Sequence, residues 1–233
     1  MKAKYCIFPK RCQICNSVIC PWNKICEDCI SEKLEITGQC CTYCGCKLED
    51  CKCKKTYHFY DNIFAAFYYE GGVREGIHLF KFSGKTNMAF NFAEKMYLSV
   101  IAKCEDKQYD FICFVPQTAL EQENRGYNQS RLIAEILSVY MKIPLYDALV
   151  KLYETKRQRL TAFRNKKGNV FGVFDVDEAV EVENKRILIV DDIRTSGATI
   201  DECCKMLKIR GAETVDVAVY AVSRKFSREA KAK

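Results

Sequence analysis

Past about residue 60, apolar positions in this chain fall into two kinds of run. Short continuous runs at 63–69, 111–115, 148–152, 170–176, 186–191 and 214–222 predict strands. A strand buried on both faces loses its polar alternation, as in a parallel sheet. Between these runs lie segments with helical spacing, at 73–82, 88–102, 129–141 and 200–210. In the third of them Leu132, Ile133, Ile136, Leu137, Tyr140 and Met141 share one face. Cys203 and Cys204 fall on the apolar face of the last one, with Ile200 and Leu207, and read as core fillers. Strands alternating with helices predict an α/β domain, a mostly parallel sheet with helices on both faces. Ligands of such sheets sit beyond the carboxyl ends of the strands. Asp191, Asp192 and Pro116 would lie at that edge.

The first 57 residues show little apolar periodicity, and that part could not bury a core of its own. It holds twelve of the sixteen cysteines. Residues 1–11 are broken by Lys2, Lys4, Pro9 and Lys10 and lack a secretory apolar core, and no run is long enough to span a bilayer. The expected location is the cytoplasm, where clustered cysteines read as metal ligands rather than disulfides. Cys12-x-x-Cys15 and Cys26-x-x-Cys29 have the spacing of one closed tetrahedral Zn²⁺ site with a structural role. Cys41-x-x-Cys44 with Cys51 and Cys53 suggests a second. There the final pair is one residue short of a knuckle, with Cys40 and Cys46 as nearby rivals. His58 could replace a cysteine but reads more simply as a linker or surface residue. The expected division is a zinc module over 1–57 and an α/β domain over 58–233.

The richest stretch is Ile187-Leu188-Ile189-Val190-Asp191-Asp192-Ile193-Arg194-Thr195-Ser196-Gly197-Ala198-Thr199. A buried strand ends in two carboxylates, followed by a loop of hydroxyls around one Gly and then a helix. Free N–H groups at a helix start, together with the helix dipole, make an anion site. Phosphate alone would not favour Asp191 and Asp192 beside it. A sugar phosphate would, because carboxylates accept hydrogen bonds from ribose hydroxyls while the loop holds the 5′-phosphate. A receiver domain would need a much longer chain beyond Asp191. A Walker B strand would need a phosphate loop, and Gly84-Lys85-Thr86 has Leu79 where that loop needs its first Gly. The run resembles the 5-phosphoribosyl-1-pyrophosphate (PRPP) motif of type I phosphoribosyltransferases.

Joined to a zinc module, that motif resembles the ComF family, phosphoribosyltransferase-like proteins linked to natural competence and DNA uptake. The likeness extends to Leu79-Phe80-Lys81, to Val115-Pro116 and Arg125-Gly126-Tyr127-Asn128-Gln129, and to Thr155, Gln158 and Asn169-Val170-x-Gly172-x-Phe174. Ser196 stands where Thr is commoner, and Lys166 where Arg is common; Lys loses the bidentate phosphate geometry. The resemblance implies a type I phosphoribosyltransferase-like fold and Mg²⁺-assisted displacement of pyrophosphate from ribose C1 by an acceptor that no residue identifies. Asp191, Asp192 and Arg125 would act in catalysis. Thr195, Ser196, Gly197, Ala198, Thr199, Lys81 and Pro116 would bind the substrate. Partners would be PRPP or another ribose 5-phosphate compound, single-stranded DNA, and helicase or recombination proteins of the uptake machinery.

Charge supports a rival reading only in part. The formal +7 falls to about +3 once eight thiolates and two Zn²⁺ are counted. Basic residues concentrate instead over 151–168, where Lys156, Arg157, Arg159, Arg164, Lys166 and Lys167 form a stretch with no acid, and in the tail from Arg224. The stretch could close over pyrophosphate as a lid or bind a DNA backbone. In the rival, a non-enzymatic single-stranded DNA handler, Tyr57, Phe59, Tyr60, Phe67, Tyr68 and Tyr69 would stack bases. The same aromatics fit a core strand better.

Overall fold

The computed structural model describes residues 8–53, 57–104, 108–152 and 173–224. The basic stretch 156–167 and the segments around Thr155, Gln158 and Asn169 lie outside the described residues.

Four strands form a parallel sheet in the order β1-β6-β5-β2: β1 (Asn62–Tyr68), β2 (Phe111–Phe114), β5 (Arg186–Arg194) and β6 (Thr214–Val222). Their residues are almost entirely buried, so the sheet needs cover on both faces. Helices α3 (Met88–Ile101) and α5 (Gln129–Met141) pack on each other and across the sheet, while α6 (Ala198–Ile209) packs on β5 and β6. This is the type I phosphoribosyltransferase-like architecture. Cys203 and Cys204 are fully buried on α6, as their place on its apolar face requires.

Several expected boundaries move. The strand expected over 186–191 runs on to Arg194, because β6 extends far enough to keep pairing it: Ile193 lies opposite Ala221 and Arg194 opposite Val222. The segment after Pro116, which no helical run predicts, is helical. It becomes α4 (Ala119–Arg125), nucleated by a capping box in which Thr118 accepts from the Glu121 N–H and Glu121 accepts from the Thr118 N–H. The expected strand at 148–152 shortens to β3 (Leu149–Lys151), and the described part of the one at 170–176 holds β4 (Phe174–Val176); the two pair antiparallel as a separate ribbon beside α6.

The cysteine-rich segment sits directly against this sheet. Its own short helix is α1 (Glu27–Ser31). The stretch around Glu35 bridges β1 antiparallel at Phe67, with Ile36 N–H donating to the Ala66 carbonyl and Tyr68 N–H to that of Leu34. Helix α2 (Gly71–Phe82) lies on the first knuckle so closely that a Cβ at Gly76 would collide with the Ile14 carbonyl oxygen. The Glu32 carboxylate accepts from the Gly72 N–H at 2.9 Å and so caps that helix. Tyr68 ties down the second knuckle, donating to Asp50 at 2.6 Å and accepting from the Lys47 N–H at 3.1 Å. Tyr60, Phe67 and Tyr68 are buried in the common core, whereas Tyr57 is exposed. Among the described residues no helix is long and apolar enough to cross a membrane.

Candidate functional site

The site assembles where β5 gives way to α6. Only Thr195, Ser196 and Gly197 separate the two, so Ala198 and Thr199 already belong to the first helical turn. Gly197 is the N-cap, at φ +84°, a left-handed conformation that Gly adopts without strain. The N–H groups of that turn, of which the Ala198 N–H donates to Ser196 Oγ at 3.3 Å, lie beside a cavity of about 280 Å³. Asp191, Asp192, Thr195, Ser196, Gly197 and Thr199 line it, and so do Lys81, Pro116 and Arg125 from distant parts of the chain. Ala198 does not; it faces a smaller pocket on the other side of the loop.

Three helices supply the far wall. Lys81, in the last turn of α2, makes a 2.8 Å ion pair with Asp192. It is therefore neither a solvated surface charge nor a cation held in reserve for pyrophosphate in this state. Ser130, at the start of α5, donates to Asp191 at 2.8 Å. Asp191 also accepts from the Asp192 backbone N–H at 2.9 Å. Burial, and next the Asp192 charge, push the Asp191 carboxyl up to about 7; Ser130 and Lys81 offset this only in part. A carboxylate pair with one member near neutral pH marks a site prepared for something absent from the free protein.

The stretch from Arg125 to Gln129 builds the corner between α4 and α5. Gly126 ends α4 at φ +78°. The Tyr127 hydroxyl donates to the Phe80 carbonyl and latches the corner to α2. Asn128 caps α5 by accepting from the Arg131 N–H, and its amide donates to the Val115 carbonyl at 3.2 Å. Arg125 lies 5.6 Å over the Phe82 ring and donates to Gln129 at 3.3 Å, a hold that leaves most of its donors for a ligand. Gln117 donates to the same Gln129 oxygen at 2.6 Å, and buried Gln117 Oε1 and Gln129 Nε2 have no partner among the described residues. Unmet polar atoms of this kind belong to a surface that a ligand or water completes.

Sequence reasoning missed Glu121, Lys151, Ser130 and Arg194, all of which line the cavity. Glu121 and Lys151 pair at 2.6 Å. Burial alone would raise the Glu121 carboxyl, but the Lys151 ammonium and the Thr118 N–H outweigh it and hold it below its ordinary value. The Thr118-x-x-Glu121 capping box was legible in the sequence; the others carried no local signal.

The cysteines form two groups of four, Cys12, Cys15, Cys26 and Cys29, and Cys41, Cys44, Cys51 and Cys53. Within each group the sulfurs lie within 4.8 Å of one another. The Cys15–Cys26 and Cys44–Cys51 sulfur separations are both 3.6 Å, close to the edge of a tetrahedron with bonds of about 2.3 Å. Backbone N–H groups of Ile14 and Cys26 point at Cys12 Sγ from 3.4 Å, as a knuckle around a thiolate requires. Each group of four could hold one Zn²⁺; in the second, the short Cys51-Lys52-Cys53 spacing brings the two sulfurs to 3.0 Å, closer than that tetrahedral edge, so a bound ion there would spread them. Neither Cys40 nor Cys46 belongs to the second group, and His58 belongs to neither. It stacks on Tyr60 instead, with ring centroids 4.2 Å apart.

Residues 128–233 match the phosphoribosyl transferase domain family. The chain is 28% identical over 187 residues to Competence protein F of Haemophilus influenzae, covering 76% of this chain and 82% of that one. It is 25% identical to Competence protein ComFC of Bacillus subtilis, covering 82% and 80%. It is 30% identical over 145 residues to DNA utilization protein YhgH of Shigella flexneri, covering 60% and 63%.

Proposed function

Because the chain belongs to the ComF family of competence-related, phosphoribosyltransferase-like proteins, we propose that its cavity binds PRPP with Mg²⁺ and transfers the 5-phosphoribosyl group to an acceptor during DNA uptake. One observation carries this reading: two adjacent carboxylates on β5 share a cavity with a hydroxyl loop at a helix N-terminus. The loop N–H groups would take the 5′-phosphate. Asp191 and Asp192 would accept from the ribose hydroxyls, and Arg125 would meet the pyrophosphate with its fixed fork of donors. The oxygen donors of this wall fit a hard cation. When bound, Mg²⁺ would neutralise charge on the departing pyrophosphate. The chain's own contribution is to hold sugar and pyrophosphate in line and to surround the charge that develops.

Zinc has a structural part in the reading. Two filled clusters would hold the segment from Cys12 to Cys53 rigid against β1 and α2. Metal analysis of protein purified without chelator should find two Zn²⁺ per chain, and stripping them should loosen that segment. Calorimetric titration tests the site itself: PRPP with Mg²⁺ should bind one per chain. No binding by the folded, zinc-loaded protein would overturn the sugar-phosphate reading. Single-stranded DNA titrated at two salt concentrations tests the rival, since backbone binding weakens steeply with salt.

A further inference from the structure

Arg194 is the charged residue that the cavity leaves unexplained. It ends β5, it is 4% exposed, and its Nε has no hydrogen-bond partner among the described residues. Its guanidinium lies 5.3 Å over the Tyr43 ring. The loop also presses on it: a Cβ at Gly197 would fall 2.9 Å from Nε and 3.0 Å from Nη2. Tyr43 in turn sits between Cys41 and Cys44, two members of the second cysteine cluster. The Tyr43 carbonyl accepts from the Tyr60 hydroxyl, which fixes the knuckle beside the same guanidinium. The Arg194 guanidinium is therefore touched both by the ring of a residue inside the second cysteine knuckle and by the Gly197 backbone.

We propose that Arg194 is a positioning residue that transmits the geometry of the second cysteine cluster to the phosphate loop. A guanidinium is a flat, rigid plate that can pack on an aromatic ring and on backbone at once. Gly197 is the residue that allows this approach, since any side chain there would collide with the plate. Held by Tyr43, Arg194 sets where the Ser196, Gly197 and Ala198 N–H groups point. A metal-filled cluster holds Tyr43 still, and an empty one frees it. The loop geometry, and with it affinity for a ribose 5-phosphate ligand, then depends on metal at the second cluster rather than the first. The affinity half of this inference rests on the PRPP reading; the loop half does not.

Amide hydrogen exchange at 195–199, in the zinc-loaded full chain without ligand, tests the loop half directly. Tyr43→Leu removes the ring but none of the cysteines, and Arg194→Met removes the plate but keeps an unbranched side chain. Each should speed exchange at these amides by about tenfold while both Zn²⁺ are retained. Tyr43→Phe keeps the ring and should restore wild-type exchange. The double variant should be no faster than either single one, because both act through one contact. PRPP affinity should fall about tenfold in the same two variants. If Arg194→Met, which touches no cysteine, leaves loop exchange at the wild-type rate, the proposal is overturned. Wild-type exchange in a metal-retaining Tyr43→Leu overturns the link to the cluster. Wild-type protein that binds no PRPP removes the proposed function, yet the exchange results still decide the coupling.

Discussion

Two buried carboxylate sites lie in this sheet, and they are furnished in opposite ways. Asp216, on β6, is fully buried, and both its oxygens are used: one accepts from Asn62 Nδ2 at 2.8 Å, the other from the Tyr109 hydroxyl at 2.7 Å. Among the described residues, the pair at Asp191 and Asp192 has a single cation at 2.8 Å and one hydroxyl for two adjacent charges. The first arrangement is complete without a ligand, and its donors fasten β1 and the segment before β2 to β6. The second leaves the Asp191 carboxyl pushed up to about 7, so the free protein carries an electrostatic cost there. Burial of a carboxylate is thus uninformative by itself; what separates a girder from a site is whether the protein has met its acceptors.

The contrast breaks most visibly at the acidic pair. Asp191→Asn with Asp192→Asn should abolish PRPP binding while the fold survives, each lost charge-assisted hydrogen bond costing about 1.5–3 kcal/mol. Calorimetry with a thermal melt checks both halves; unchanged affinity in a folded double variant would sink the reading of these residues as ribose ligands.

Asp216→Ala should do the reverse. It strands the Asn62 amide and the Tyr109 hydroxyl, at about 2–4 kcal/mol of stability. Denaturant unfolding should show the loss. A variant as stable as wild type would mean that water satisfies those donors.

Acid should sharpen the difference more gently. With Asp191 raised to about 7 from the ordinary 3.8, the folded state holds an extra proton between those values. Its contribution to stability is therefore full below about pH 4 and is lost as pH rises through about 7, by roughly 1–2 kcal/mol after solvent screening at the cavity mouth. Asp191→Asn should flatten that slope and raise the apo melting temperature above pH 7. PRPP affinity should run the other way, improving as pH rises through 7, because ribose hydroxyls need the ionised acceptor.

The smallest effect concerns Ser130. Its hydroxyl favours ionised Asp191, so Ser130→Ala should push the midpoint of the affinity–pH profile further up and cost about 1 kcal/mol of binding at pH 7. An unmoved midpoint would mean that Asp192 and burial alone set the Asp191 titration.

What the sequence disclosed follows from the range of each interaction. The buried runs around Ile187 and Val217 and the helical face from Leu132 to Met141 are local patterns, and they appear where periodicity places them. The Asp191–Thr199 run carries strand, acids, loop and cap within one continuous stretch, so most of the cavity's near wall was readable. Lys81 and Arg125 entered through family resemblance, and their contacts could not. The ion pair of Lys81 with Asp192 joins α2 to β5 across more than a hundred residues. Lys151 and Ser130 reach the cavity only because β3 and α5 dock beside it. The strand end at Arg194 was misplaced because pairing with β6, rather than any property of Ile193 or Arg194, sets it. Arg194 itself read as an unremarked loop residue, since only the folded chain brings Tyr43 beneath it.

The strand order has a consequence for how this chain comes into being. β6 lies between β1 and β5, yet it is the last described strand in chain order, and Asn62 meets Asp216 across 154 residues. During synthesis β1 emerges early and waits, its inner edge bare, until Val222 is made. β2 and β5 can pair meanwhile, but they form half a sheet whose open edge is that of β5, a nine-residue strand. Closing the gap means inserting one strand between two waiting edges, a step of high contact order that is slow and exposes both edges to other chains. The Leu34–Ile36 stretch covers only the outer side of β1. Folding of the nascent chain is therefore gated by its final described strand, and a pause or truncation before Thr214 leaves two unpaired strand edges rather than a smaller stable sheet.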